Sequence, residues 1–502
     1  MNYVILDTRG LLLHSYHRST RKTIETPDGF IPSWEDGIAE FVTEYLDPIL
    51  STVNPRQIFA CFDGGNNSRR MLYFDYKAKR KQRDKDEDKQ KREQINTLME
   101  QGQRLLAYLG CRTLKVPGEE ADDLIGLIVS TIEADLFTVY TRDKDLLQLV
   151  SPKVQVIQHG NLFWTDPGLS QTSLEGVPFD LIALMKAIVG DSSDEYPGVK
   201  GCGPKFFTSM LETYGADGLR QIKTLIEAWN YPAGARPQPN GCKLMDKLIE
   251  SWDDVLRFYK VAKINPGFCY GANGDKRKVP EWTVRVPNLE KVQKILVPIG
   301  LFRPQWERFF PTETLVDARH AEHIPAIASE ILASPIVSYD FETSDKTKHK
   351  PFLEYDKNFV DVLSQELTSI SINYGHNLEK TIYVPFDHKD SHNLSLDWAR
   401  WILQVLANVQ PRAVVQNAAF ELSVTLTQVG EIPKAPFDTA IMSMYVDENE
   451  ENHLKGMSKQ WLNYTQATYK EVTQGRAMHE LTAEEALSYG CDDSLVTGHL
   501  FD

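Results

Sequence analysis

The chain has 502 residues, so at roughly 100–200 residues per domain two to four domains are expected. Its 42 % hydrophobic and 25 % charged content is ordinary for a globular protein. The formal net charge of −15, from 55 basic and 70 acidic side chains, argues on average against a nucleic-acid binder, whose affinity for phosphate needs clustered Lys and Arg. The average hides an asymmetry, because residues 1–310 hold 41 basic and 41 acidic side chains, whereas residues 311–502 hold 14 and 29. No run of about 18 apolar residues exists, which excludes a membrane-spanning helix. The start, Met1 to Asp7, lacks a basic region and a cleavable apolar core, so no secretory signal is read there. Six cysteines, at 61, 111, 202, 242, 269 and 491, form no CxxC pair. That usage fits reduced thiols in a cytosol-like, cytoplasmic compartment and argues against a zinc site.

The first 160 residues alternate strand and helix signals. Tyr3–Leu6 and Gln57–Phe62 are short apolar runs, each followed by an aspartate. Lys91–Leu109 has Ile95, Leu98, Leu105 and Leu109 at helical spacing, with Gly110 as its stop. Glu119–Ile132 reads as a second helix, Leu136–Tyr140 as a strand running into Asp143 and Asp145, and Val154–Gln158 as another strand. This rhythm implies a parallel sheet covered by helices, with ligands beyond the carboxyl ends of its strands. Residues 176–230 look helical, interrupted by Gly198–Lys205, and breaker-rich stretches follow at Tyr231–Gly241 and Pro266–Gly274. A boundary near Phe310-Pro311 divides the chain into 1–310 and 311–502. Beyond it the pattern restarts, with strands over Ile336–Phe341, Leu367–Tyr374, Lys380–Phe386 and Val414–Gln416, then helices. Arg69 to Glu93 is compositionally odd, with 11 basic and six acidic residues; by composition alone a solvated helix or disordered loop is as good a reading as a functional one.

Nine carboxylates fall at strand ends or helix starts in the first 200 residues: Asp7, Asp63, Glu120, Asp122, Asp123, Asp143, Asp145, Asp191 and Asp194. Taken singly, each is more often a helix cap or a surface residue. Asp122 and Asp123, for instance, suit a helix start through the dipole alone. If the strands are neighbours, however, the nine converge. Two carboxylates about 4 Å apart repel by roughly 4 kcal/mol at an effective dielectric near 20. Hard divalent cations such as Mg²⁺ or Mn²⁺ relieve that repulsion with oxygen ligands.

The order of these acids resembles the 5′ nuclease (flap endonuclease) domain at the amino terminus of bacterial DNA polymerase I. The matching text is Ile5-Leu6-Asp7, Cys61-Phe62-Asp63, Arg69 with Tyr76-Lys77-Ala78-Lys79-Arg80, Glu120-Ala121-Asp122-Asp123, Asp143-Lys144-Asp145, and Gly190-Asp191-Ser192-Ser193-Asp194 with Pro197-Gly198-Val199-Lys200-Gly201. The resemblance implies that the nine acids hold two or three Mg²⁺ or Mn²⁺ ions for phosphodiester hydrolysis. It implies a helical arch at about 69–93 and a helix–three-turn–helix element at about 176–230. It also implies DNA contacts from His14, Arg69, Lys77, Arg80, Gly198, Gly201, Gly203 and Lys205. Two positions depart from the family pattern. His14 stands where an arginine is usual, and Arg142 where glycine usually precedes the Asp-Lys-Asp.

The second half carries another set. Asp340 and Glu342 are i, i+2 on a strand and share a face. Gln416–Glu421 opens a helix, and Tyr489 and Asp493 are i, i+4 on another. Together they resemble the 3′→5′ proofreading exonuclease of the same polymerases, an RNase H-like α/β domain. Its metal pair would be held by Asp340, Glu342, Glu421 and Asp493, with Tyr489 orienting the attacking water. Glu421 departs, because aspartate is usual there. No polymerase domain is expected after Asp493. The resemblance implies a DNase acting on 5′ flaps, duplex and 3′ single-stranded ends, in replication or repair alongside a polymerase. Two other readings are a 5′ nuclease fused to a vestigial exonuclease that docks a separate polymerase chain, and an RNA-degrading nuclease of related fold.

Overall fold

A computed structural model gives the architecture, described here for residues 2–19, 23–26, 29–53, 55–78, 89–158, 160–163, 173–174, 176–222, 244–269, 281–345, 365–409, 413–430, 436–449 and 451–502. These group into two compact units. One holds residues up to 107, 111–282 and 295–301; the other holds 108–110, 283–294 and 302 onward.

In the first unit, β1 (Asn2–Asp7) leads into α1 (Thr8–Arg18). There follow β2 (Gln57–Phe62), α2 (Lys89–Tyr108), β3 (Arg112–Lys115), α3 (Ala121–Thr131), β4 (Leu136–Thr141), β5 (Val154–Gln158) and β6 (Asn161–Phe163). The strands lie in the order β3-β2-β1-β4-β5-β6, parallel except for the last pair. Val4, Ile5 and Leu6 of β1 are fully buried, as a central parallel strand covered on both faces requires. One core joins Ile5, Phe59, Val139 and Val156 of the sheet to Leu124, Ile125 and Ile128 of α3. Parallel order brings all carboxyl ends to one edge, with Asp7 opposite Cys61 and Leu6 opposite Tyr140.

Next come α4 (Ile182–Val189) and α5 (Pro204–Arg220). Gly190 ends α4 at φ +89°, and Gly198 has φ +62°. A Cβ on Gly198 would lie 2.3 Å from the Gly190 nitrogen, so only glycine lets this loop fold back on itself. The fold-back is pinned by Val199 N–H donating to Ile188 O at 2.8 Å. Within the described part of the expected helical stretch over 176–230, α4 and α5 are separated by a tight loop, and α5 is kinked at Gly215, where φ is +70°. Residues 223–243, and 79–88 with Arg80, lie outside the described residues.

In the second unit, β7 (Thr312–Leu315), β8 (Val337–Asp345), β9 (Gln365–Tyr374), β10 (Lys380–Pro385), β11 (Ala413–Val415) and β12 (Phe437–Asp438) form a mixed sheet in the order β7-β10-β9-β8-β11-β12. Helices α6 (Ala418–Val429), α7 (Leu454–Trp461) and α8 (Ala483–Phe501) accompany it. A capping box starts α8: Thr482 Oγ1 accepts from Glu485 N–H at 3.2 Å, and Glu485 Oε2 accepts from Thr482 N–H at 2.8 Å. A Cβ on Gly490 would meet the Tyr383 ring at 2.4 Å, and one on Gly498 would meet Ser338 Oγ at 2.6 Å. The missing side chains let α8 lie directly on the sheet. The whole is an α/β architecture, a parallel-sheet unit followed by a mixed-sheet unit of RNase H-like character. Among the described residues no helix is long and apolar enough to cross a membrane, and Cys61, Cys111, Cys202, Cys269 and Cys491 are buried and form no disulfide.

Candidate metal centres

In the first unit every one of the nine acids lies at the carboxyl edge of the sheet or on a helix end beside it. Asp7 ends β1 and its Oδ2 accepts from Thr141 Oγ1 at 2.8 Å. Asp63 follows β2 and accepts from Ala121 N–H at 3.0 Å. Asp143 accepts from Asp145 N–H at 2.9 Å, closing the turn after β4. Burial, then the charges of Asp63 and Asp143, pushes the Asp7 carboxyl up to about 7. Burial, then Asp143, Asp7 and Glu120, raises Asp122 well above the carboxylate range. These four acids crowd one another electrostatically.

A second group is tighter. Asp145, Asp191 and Asp194 each offer an oxygen within 4.8 Å of the others. Lys186, on the last turn of α4, reaches both Asp145 and Asp191, the latter at 2.6 Å. Burial raises Asp145 to about 7 in spite of Lys186. Burial opposes ionisation of Asp191 too, but Lys186 and the Ser193 hydrogen bonds hold it down at about 2. Asp191 Oδ1 accepts from Ser193 N–H at 2.7 Å and Asp194 N–H at 3.3 Å, so the loop wraps its own carboxylate.

Glu120 and Asp123 face cations. Arg69 donates to Glu120, to Asp123 Oδ1 at 3.0 Å and to the Val261 carbonyl at 3.0 Å. Lys77 Nζ lies 2.6 Å from Glu120 and 3.4 Å from Asp194. The Tyr76 hydroxyl donates to Glu120 Oε2 at 2.9 Å. Burial works against ionisation of Glu120, but Arg69 and Lys77 outweigh it and hold the carboxyl below its usual range. Arg69, expected at a phosphate, faces acids in this fold. At 3 % exposure its guanidinium is turned inward to buried acids and a carbonyl, which are its nearest acceptors. Lys77 is likewise engaged by carboxylates. His14 Nδ1 lies 3.1 Å from the Tyr45 hydroxyl and 3.5 Å from Glu44. Gly198 and Gly201 hold positive φ, Gly203 caps α5, and Lys205 is exposed at that helix's first turn.

In the second unit Asp340 and Glu342 of β8 and Asp493 of α8 bring oxygens within 4.8 Å of one another. Burial and the neighbouring Asp493 charge raise Asp340 well above its ordinary range, and burial with Asp340 does the same to Glu342. Burial raises Asp493 to about 7, opposed by Lys455. Gln466 Nε2 donates to Asp493 Oδ1 at 2.7 Å. Tyr489 stands one helical turn before Asp493, under the Lys455 ammonium at 4.8 Å. Glu421, on α6, is 3 % exposed, and its Oε2 has no hydrogen-bond partner among the described residues. Its charge is felt by, and feels, Asp340 and Glu342, but it is not one of the three tightly grouped acids. Asp438 serves the backbone, accepting from the N–H groups of Asn417, Ala418 and Ala440.

Lys186, Thr141, Tyr76, Lys455 and Gln466 were not read as site residues from sequence. A lysine on a helix or a threonine at a strand end carries no spacing signal. Only the fold puts them against the acids. The donor sets are all carboxylate, hard oxygen ligands without His or Cys, and several are buried at a cost that a divalent cation would relieve.

Residues 2–173 match the family described as 5'-3' exonuclease, N-terminal resolvase-like domain, and residues 319–502 match the family described as 3'-5' exonuclease. The chain is 31 % identical to the 5'-3' exonuclease of Bacillus subtilis over 221 residues, 42 % of this chain and 70 % of that protein. It is 34 % identical to DNA polymerase I of Treponema pallidum over 232 residues, 45 % of this chain and 22 % of that protein. DNA polymerase I of Borreliella burgdorferi aligns at 23 % identity over 99 % of this chain and 54 % of its own length. The chain thus spans about a fifth to about half of these two polymerases. A zinc-bound T5 5'-exonuclease overlaps 54 % of this chain and 91 % of its own, at 19 % identity and a TM-score of 0.41. The chain belongs to the 5'-3' exonuclease family, and a 3'-5' exonuclease domain follows in the same polypeptide.

Proposed function

We propose that the protein hydrolyses DNA phosphodiesters at two separate metal centres. One, within 1–310, cleaves 5′ flaps and 5′ ends; the other, within 311–502, trims 3′ ends. The observation that carries this reading is the pair of three-carboxylate groups, Asp145/Asp191/Asp194 and Asp340/Glu342/Asp493. In the first centre Asp7, Asp63, Asp122 and Asp143 complete the set around Asp145, Asp191 and Asp194. With Glu120 and Asp123 behind them, the nine acids would hold two or three Mg²⁺ or Mn²⁺ ions. In the second centre Asp340, Glu342, Asp493 and Glu421 would hold two. When bound, such ions supply Lewis acidity at the phosphoryl oxygen and a lowered pKa for the attacking water. The protein's own contribution is placement. Thr141 fixes Asp7, Gln466 fixes Asp493, and Lys186 bridges Asp145 and Asp191 and holds Asp191 ionised. Tyr489 orients the attacking water at the second centre. The backbone around Gly198–Gly203 and the exposed Lys205 would hold the duplex strand, and Arg80 with the rest of the basic 69–93 stretch the single-stranded arm.

The test uses one flap duplex labelled at either end, with Mg²⁺ or Mn²⁺ and with EDTA. Asp122→Asn should abolish 5′ cleavage and spare 3′ trimming, and Asp340→Ala should do the reverse. Normal 5′ cleavage by Asp122→Asn would overturn the assignment. The same flap built in RNA decides the nucleic-acid class.

A second reading concerns residues 311–502 alone. Glu421 stands outside the tight three-acid group, which favours a weakened exonuclease that docks a separate polymerase chain. Clear 3′ laddering, lost in Asp340→Ala, would remove that reading.

A further inference from the structure

Arg142 is held at the rim of the first acid group. The residue before it, Thr141, donates to Asp7 Oδ2 at 2.8 Å and accepts from Asp143 N–H at 2.9 Å, so the backbone at 142 is fixed between two of the crowded acids. Its guanidinium is hydrogen-bonded to the hydroxyl of Tyr45. That hydroxyl also lies 3.1 Å from His14 Nδ1. The Tyr45 side chain is buried, and Arg142 and His14 are partly exposed. Among the described residues Arg69, Lys77, Lys186 and Arg9 each lie against a carboxylate. Arg142 lies against the Tyr45 phenol, whose hydroxyl it shares with Glu44. A partly exposed arginine anchored in this way is placed for bidentate phosphate recognition. The two positions where the sequence departs from its family, His14 and Arg142, thus meet on one hydroxyl.

We propose that Arg142, braced by Tyr45 and His14, binds a backbone phosphate of the nucleic-acid strand cut at the adjacent acid group. His14 lies seven residues along α1 from Asp7, about 10 Å of helix rise. At about 3.4 Å per nucleotide of one strand, the phosphate lies within roughly three nucleotides of the cleaved bond. The proposal rests on reading the nine acids as a nuclease centre, and it is tested by binding, so that it can fail separately. A fluorescein-labelled 5′-flap DNA duplex is titrated by anisotropy in EDTA, where no cleavage proceeds, between about 50 and 200 mM salt. Arg142→Ala should bind about tenfold more weakly and lower the salt slope by about one. Arg142→Gln, which keeps the hydrogen bond to Tyr45 without the charge, should show the same loss, and Arg142→Lys should keep most of the slope. His14→Arg added to Arg142→Ala should recover the binding. Unchanged affinity and salt slope in a folded Arg142→Ala or Arg142→Gln protein would overturn the proposal, whatever Asp122→Asn does to cleavage. Under steady-state cleavage the loss should appear in KM more than in kcat.

Discussion

The Lys455 ammonium sits 4.8 Å from the centroid of the Tyr489 ring, and the same nitrogen donates to the Ala467 carbonyl at 2.6 Å. This cation–π contact sets the face of the phenol beside the Asp340–Glu342–Asp493 group and puts positive charge next to three acids whose ionisation burial opposes. Lys455→Met removes both effects while keeping most of the side-chain volume. The expected result is about a tenfold fall in 3′ trimming, worth roughly 1.4 kcal/mol of barrier. Cleavage at the 5′ end should be unaffected in the same preparation and serves as the internal control. Equal 3′ rates for Lys455→Met and the parent would remove Lys455 from the site.

Arg69 is predicted to matter for folding before it matters for substrate. Its guanidinium lies between Glu120 and Asp123, two buried acids, so Arg69→Met leaves Asp123 without its cation and Glu120 with Lys77 alone. Breaking a buried pair from one side costs about 3–5 kcal/mol. Urea unfolding should show that loss for Arg69→Met. Arg69→Met combined with Glu120→Gln and Asp123→Asn should regain most of it, because the stranded charges go as well. A single variant as stable as the parent would show that Lys77 and solvent carry the acids unaided.

Asp7, Asp145 and Asp493 are held at about 7 in the ion-free fold, against an ordinary 3.8. Between those values the unfolded chain has released protons that the fold retains. The fold therefore binds more protons, and the stability these three contribute falls as pH rises from about 4 through about 7. In EDTA the first unfolding transition should accordingly come at a lower temperature at pH 8 than at pH 6. A divalent cation takes the place of those protons, so Mn²⁺ should raise the transition more at pH 8 than at pH 6. Its binding should release protons, measurable by calorimetry in buffers of different ionisation enthalpy. A transition in EDTA that stays level or rises from pH 6 to pH 8 would contradict the raised carboxyls.

The strands and the acids were legible in the sequence because both depend on local pattern. Gln57–Phe62 and Val154–Gln158 agree to the residue and the other central strands within two, except β8, which runs four residues past Phe341, because a strand buried on both faces needs an unbroken apolar run. The pairing of charges was not legible. Arg69 reads as part of a basic stretch, yet the fold turns it inward over 51 and 54 positions to Glu120 and Asp123. Lys186 reads as the solvated face of a helix and stands instead between Asp145 and Asp191. The short strands Arg112–Lys115 and Phe437–Asp438 also escaped, because their pairing partners, not their own composition, make them strands.

Glu421 offers the sharpest test of the second centre. Its carboxyl is buried with Oε2 unpartnered, and it accepts from the Phe341 backbone N–H within the strand that carries Asp340 and Glu342. A buried acid without a full set of donors is unfavourable unless something else fills its remaining lone pairs, and a cation shared with Asp340 would do so. Glutamate places that carboxyl one methylene further from α6 than aspartate would, and a two-metal site tolerates little displacement at a spacing of about 3.5–4 Å. Glu421→Asp should therefore raise 3′ trimming in Mg²⁺, by about tenfold if ligand reach is the limit, and should narrow the advantage of Mn²⁺ over Mg²⁺. Glu421→Gln keeps the length and removes the charge, so it should lower trimming and, in EDTA, stabilise the ion-free fold by relieving repulsion with Asp340 and Glu342. If Glu421→Asp trims no faster and Glu421→Gln trims as well as the parent, Glu421 is only a packed side chain and the three acids Asp340, Glu342 and Asp493 make up the centre.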